Sequence, residues 1–197
     1  RYLEVESLFP EEQHAANLPV RKVTSLDEIE TETLKLRDRW NLGYDAIENL
    51  VQLLEDRGIK VGIISGFEHF DACTFKADGD PVIVTKGELS GDRQRFNLGH
   101  ELGHLILDVQ GDLKPEQAAN RFVGAFLVPA ATARFELGAN RTDLNINELH
   151  MLKHKYGLSM QAWIYRAKDL SIISENTAAR LFQQFRVNDW HRQEPGK

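Results

Sequence analysis

The sequence predicts an α+β fold. Apolar residues recur at helical spacing near residues 47–54 and through much of the second half. Three short β-like runs stand together between them, and Gly- and Asp-rich turns separate the runs. Helices and strands are segregated along the chain instead of alternating, which is the α+β order. A length of 197 residues suits one domain, or one domain with a small appendage. The 42% apolar and 27% charged residues are ordinary for a globular chain and exclude a disordered, collagenous or bare coiled-coil protein.

Residues 1–24, with Pro10 and Pro19, read as a lead-in segment. Ser25 and Glu28 form a capping box for a first helix that carries acid early and base late and ends at Gly43. Asp45 is positioned to cap a second helix with Ile47, Leu50, Val51, Leu53 and Leu54 on one face, stopped by Gly58. The β-like runs are KVGIIS (60–65), ACTFK (72–76) and PVIVT (81–85). Asp78-Gly79-Asp80 is a hairpin signal. Pro81 suits a strand start or an edge strand. RFNLGHELGHLILDV (95–109) is expected as one helix, and Pro115 opens another that stops at Pro129. Residues 145–170 read as helix, Gly157-Leu158-Ser159 turn, helix. A last helix covers about 175–186.

Cys73 is the single cysteine, so neither an internal disulfide nor a four-thiolate zinc site is possible. No apolar run approaches the ~18–20 residues of a membrane span. With Arg1 first and no signal-peptide pattern, the chain reads as part of a longer cytosolic protein. The net charge of −6 argues against a dedicated nucleic-acid binder. That charge is unevenly spread. Residues 1–140 hold 15 basic and 24 acidic side chains, a net of −9, and residues 141–197 hold 9 and 6, a net of +3.

Residues 100–104 spell His100-Glu101-Leu102-Gly103-His104, an HExxH motif. On a helix the two histidines lie one turn apart on one face, where both imidazoles can bind one divalent metal. Glu101 flanks them and can act as general base toward a water whose pKa zinc lowers to ~7. His150 and His154 share the spacing in HMLKH, but Met151 stands where the base belongs. Gly99 and Gly103 each cost their helix about 1 kcal/mol against Ala, which points to close approach by another backbone. A catalytic zinc wants three protein ligands and an open position. Leu107 and Gln110 stand where the metzincin pattern needs Gly and His, so that class is excluded. Asp108 continues the histidine stripe about 6 Å further along the expected helix, too far to close a compact site. Glu116, which opens the next helix, is the better third ligand. Asn120, four residues on, can hydrogen-bond a ligand histidine from behind.

At these residues the chain resembles the ImmA/IrrE family of gluzincin-type metallo-endopeptidases, of the kind fused to an XRE helix-turn-helix domain. RFNLGHELGHLIL (95–107) and EQAANRFVGAFLVP (116–129) match the family's RFTLAHELGHLLLH and ExEANRFAAELLMP. Weaker likeness extends over about 25–195, through LLEDRGIKVGII, PVIVTK, GLSMQAWIYRAKDLSIIS and FRVNDWHRQEP. The chain departs from the pattern at Gly99, where the family has Ala, and at Ala118 and Ala125, where acids are common. The resemblance implies a minimal zincin-like fold with a small three-stranded or larger mixed sheet. It implies His100, His104 and Glu116 as metal ligands and Glu101 as base. It also implies Zn2+ (another divalent metal such as Mn2+ being the alternative), a cytoplasmic location, and helix-turn-helix repressors as substrates in stress responses. On this reading residues 25–140 form the peptidase core and 141–197 a helical, helix-turn-helix-like segment. Zincins commonly add substrate as a strand to a sheet edge, for which PVIVT is the expected edge. Tyr156, Tyr165 and Arg166 are candidates for oxyanion or substrate contact, against the plainer reading of packing or surface solvation.

Two other readings compete. One is a metal-containing sensor or partner-binding module of a transcription regulator, which an intact Glu101 disfavours. The other takes residues 142–186 as a DNA-binding helix-turn-helix. Trp163 and Tyr165 suit packing or partner contacts better than base readout there. DNA contact by this chain is therefore not expected, a missing N-terminal domain being the route left for it, and the mildly basic C-terminal segment is expected to meet a protein first and DNA second.

Overall fold

The computed structural model describes residues 18–190, 192, 194 and 195. Most of the expected lead-in, residues 1–17, lies outside the described residues. Strand β1 (Arg21–Val23) leads into helix α1 (Leu26–Arg39), whose N-cap Ser25 accepts from the Glu28 amide at 3.3 Å. Helix α1 ends earlier than Gly43 because Asn41 adopts a left-handed conformation at φ 56°. The following loop is fixed by the buried Arg37 guanidinium, which donates to the carbonyls of Leu42, Gly43 and Asp45. Those bonds hold Asp45 in the loop. Asn49, not Asp45, caps the short helix α2 (Leu50–Glu55), and Ile47 packs into the core from outside it.

Strands β2 (Lys60–Ile64), β3 (Ala72–Ala77) and β4 (Asp80–Lys86) form a three-stranded mixed sheet in the order β2-β4-β3. The β3–β4 turn places Asp78 at φ 53° and Gly79 at φ 96°, as a type I′ hairpin requires. PVIVT is thus the central strand and not an edge. It pairs parallel with β2 and antiparallel with β3, burying Pro81, Ile83 and Thr85 on alternate positions. Pro81 is tolerated one residue inside the strand start, where its missing N–H costs least.

Helix α3 (Gly91–Ile106) packs across β3 and β4. It is shorter than the sequence pattern suggested. Leu107–Val109 form strand β5, paired parallel with β1. Asp108 therefore does not continue the histidine stripe. Helix α4 (Pro115–Leu127) carries Pro115 in its first turn and packs on both α3 and α1. Helices α5 (Ala130–Leu137), α6 (Ile146–Tyr156), α7 (Met160–Asp169) and α8 (Glu175–Val187) follow. Gly157, left-handed at φ 62°, ends α6, and Ser159 caps α7. Buried residues from Val23 to Phe185 form one continuous core cluster. Among the described residues no helix is long and apolar enough to cross a membrane.

Candidate metal centre

The centre is built where α3 and α4 touch. A Cβ on Gly103 would lie 3.2 Å from the Ala119 Cα and 3.1 Å from the Phe122 ring. A Cβ on Gly99 would lie 2.7 Å from Val123 Cγ2. Both glycines thus let α4 come closer than any side chain would permit, as their helix cost suggested. Glu116 stands one turn before Ala119 on α4, so this contact carries its carboxylate to the histidines.

The candidate donor atoms cluster closely, one Glu116 oxygen facing each histidine. His100 Nε2 and His104 Nε2 are 3.1 Å apart, His100 Nε2 is 3.2 Å from Glu116 Oε2, and His104 Nε2 is 3.3 Å from Glu116 Oε1. Zinc bonds of ~2.0–2.2 Å at tetrahedral angles give ligand-to-ligand edges of about 3.3–3.5 Å, so the donor set fits such an ion with little adjustment. Among the described residues this is the one group of three or more His, Cys, Asp or Glu that can close around an ion.

Asn120 Oδ1 lies 3.1 Å from His100 Nδ1. The amide oxygen accepts the Nδ1 proton and leaves the Nε2 lone pair facing the other ligands. On the other side the Phe96 ring stacks on His100 at 6.3 Å and 30°. Phe96 was not singled out by motif, although its i−4 spacing from His100 was the available signal. Glu101 is half-buried beside the candidate donors. Burial pushes its carboxyl above the ordinary range, His104 opposes this, and the Glu116 carboxylate adds to it.

The remaining sequence candidates fall elsewhere. The buried Tyr156 donates its hydroxyl to Glu136 at 2.6 Å and packs its ring on Trp163. Arg166 is sealed in the core, bonded to the Val128 carbonyl and to both Glu30 oxygens. Tyr165 is half-exposed, packs its ring at a tilt on Phe182, and lines a cavity that begins beside Phe96 and Asn120. His150 and His154 sit with ring centroids 4.5 Å apart, and no third ligand joins them among the described residues.

A family model for the IrrE N-terminal-like domain, a peptidase family, matches residues 55–168, more than half of the chain. The chain belongs to this family. The match begins in α2 and ends in α7 of this IrrE-like chain, so it contains the whole three-stranded sheet and the entire His-His-Glu cluster. The fold, a small mixed sheet backed by helices, agrees with that of the family. Among solved structures, a Mycobacterium tuberculosis transcriptional regulator is similar, with a TM-score of 0.53 at 16% identity. The likeness covers 71% of this chain and 46% of the regulator, and at that identity it is a likeness of fold. No curated protein matches the IrrE-like chain.

Proposed function

We propose that the chain is a zinc-dependent endopeptidase that cleaves a regulatory protein in the cytoplasm, a helix-turn-helix repressor being the substrate class the family suggests. The observation that carries this reading is the cluster of His100, His104 and Glu116 donor atoms, with Glu101 adjoining the histidines on their helix. A divalent ion held there would supply Lewis acidity toward a peptide carbonyl and toward a water.

The chain's own groups do the rest. Asn120 fixes the tautomer and direction of the His100 ring. Glu101 takes the proton of the attacking water at its carboxylate and returns it to the leaving amine. Its raised affinity for a proton suits that second task, because a carboxyl that holds its proton longer is a better acid toward the amine. Strand β3, an edge strand lying against α3, offers unpaired backbone groups along which a substrate can add as a further strand.

The test is metal analysis paired with a cleavage assay on a neighbouring helix-turn-helix repressor. Glu116→Ala loses metal, whereas Glu101→Gln keeps metal and loses cleavage. Unchanged metal content in Glu116→Ala removes its ligand role. Equal cleavage by Glu101→Gln removes the mechanism. The likeness to a transcriptional regulator keeps a second reading in view, a metal-bearing sensor module. On that reading Glu101→Gln leaves the regulatory output untouched.

A further inference from the structure

The start of helix α7 is an anion cage, and the chain fills it with its own tail. The buried Glu194 carboxylate accepts from the Met160 amide at 3.2 Å and the Gln161 amide at 3.1 Å, the first two of the helix. It also accepts from the Lys153 ammonium at 2.6 Å. Lys153, on α6, faces Asp92 of α3 at 3.4 Å. Burial opposes the Lys153 charge, but Glu194 and then Asp92 outweigh burial and hold the ammonium above its ordinary range. Helix-start amides and a nearly sealed cation are both strong partners for a carboxylate.

Beside the cage lies a cavity of about 610 Å³, in the range of real ligand sites. Its wall follows α7 from Ser159 to Asp169, about 15 Å at 1.5 Å per residue. That length takes about four extended residues. Phe96, Tyr165 and Trp190 supply aromatic faces along it. The tail residues Trp190, Arg192 and Glu194 border this space and do not fill it. An extended peptide that entered the cage would therefore cover aromatic surface that the tail leaves open. The cavity meets the metal centre only through Phe96 and Asn120 and includes none of Glu101, His104 or Glu116, so it stands apart from the cleavage chemistry.

The charges on the wall favour an acidic occupant. Arg93 pairs with Asp71 at 2.6 Å, Arg166 pairs with Glu30, and Asp169 faces Arg121 at 3.6 Å. Arg192 stands exposed at the rim, with Asp189 3.7 Å from its Nε. When Glu194 swings out, Lys153 keeps Asp92, and the Met160 and Gln161 amides lose the acceptor described above. Buried donors without an acceptor are costly, so release of the tail and entry of a replacement go together. An incoming carboxylate restores all three bonds and has the Arg192 guanidinium close at the rim. A cation would meet Lys153 and Arg192 instead. A neutral amide would bring Lys153 no charge.

We infer that this groove is a docking site for an extended segment of a protein partner that carries an acidic residue, its carboxylate replacing that of Glu194 in the cage, and that the tail is the built-in competitor that keeps the site closed.

The experiment titrates the full chain with acetyl-Glu-Ala-Phe-Ala-amide and acetyl-Ala-Phe-Ala-Glu-amide, one for each chain direction, and with their Gln counterparts. Binding is followed at the Met160 and Gln161 amide signals by NMR. Glu194→Ala, which removes the competitor, should bind one of the Glu peptides about tenfold or more tightly than wild type does. It should also prefer that peptide to its Gln counterpart about tenfold, the worth of one charge-assisted hydrogen bond. Adding Lys153→Met should erase the Glu-over-Gln difference, with the fold checked by circular dichroism. If that double variant fails to fold, the Glu and Gln peptides on Glu194→Ala decide alone. Equal affinity of wild type and Glu194→Ala, equal affinity for Glu and Gln peptides, or no binding to Glu194→Ala at millimolar peptide overturns the docking site. None of these outcomes touches the peptidase reading, which stands or falls on metal content and cleavage.

Discussion

The close approach of α3 and α4 can be tested by one methyl group. Gly99→Ala adds a Cβ at 2.7 Å from Val123 Cγ2, about 0.7 Å inside the 3.4 Å at which ordinary contact begins. Val123 is fully buried, and its branched side chain has essentially one χ1 rotamer open to it in a helix. The overlap can be relieved only by spreading the two helices. Overpacking of this kind costs ~1–3 kcal/mol, and the Gly-to-Ala gain in helix propensity returns about 1 kcal/mol. With no room for Val123 to turn, the cost sits at its upper end and the expected net loss is about 2 kcal/mol. Spreading the helices also draws Glu116 from the histidines, so metal affinity falls in the same variant. The family pattern has Ala at both positions, and this chain has the Gly99–Val123 pair instead. Gly99→Ala with Val123→Ala should therefore recover stability and metal binding, with a favourable coupling of ~1–3 kcal/mol in the double-mutant cycle. Urea unfolding of the four proteins, with metal titration against a chromophoric chelator, measures both. A Gly99→Ala protein as stable as wild type, or a strictly additive cycle, refutes the argument.

Other expectations are more compact. Asn120→Ala should weaken metal binding ~10–100-fold, as loss of an orienting partner does elsewhere, with the fold retained by circular dichroism. Tyr156→Phe should cost about 1 kcal/mol through the lost bond to Glu136 and leave metal content unchanged; a change in metal affinity would give Tyr156 a part in the centre. Burial tends to raise the Glu30 carboxyl, but Arg166 and then Arg121 outweigh it and hold it below its ordinary 4.5. A depressed carboxylate stabilises fully above its unfolded-state value, and that stability is lost as pH falls through the folded-state value. Wild type should therefore lose stability between pH 4.5 and lower values along a limb that Glu30→Gln lacks. Parallel acid limbs would show that the pair is electrostatically neutral to folding.

Much of the centre was legible because its chemistry is local. The i, i+4 histidines, the intervening Glu101 and the paired glycines all lie on one helix, where spacing alone fixes which side chains share a face. Glu116 could be named because Pro115 marks the start of the next helix. The hairpin at Asp78-Gly79 was equally readable, since few residues accept two successive positive φ values. Strand roles were a different matter. PVIVT carries the pattern of a strand, but its position in the sheet depends on β2 and β3 pairing on either side of it. Leu107–Val109 read as helix by their spacing and became a strand because β1, more than eighty residues earlier, pairs with them.

The sequence by itself determined the class of fold, the helix that bears the motif and the residue types that meet at the candidate centre. These follow from periodicity, capping and donor chemistry within windows of a few residues. Only the tertiary structure decided that the two Nε2 atoms stand 3.1 Å apart with a Glu116 oxygen 3.2–3.3 Å from each, and that Arg166 belongs to a buried pair with Glu30. Only it showed the cavity bordered by Phe96 and Asn120, the two residues that pack on His100. Those facts arise from helix-to-helix distance. That distance is set by Val123 against Gly99 and Ala119 against Gly103, contacts between residues 16–24 positions apart that no single-helix pattern records.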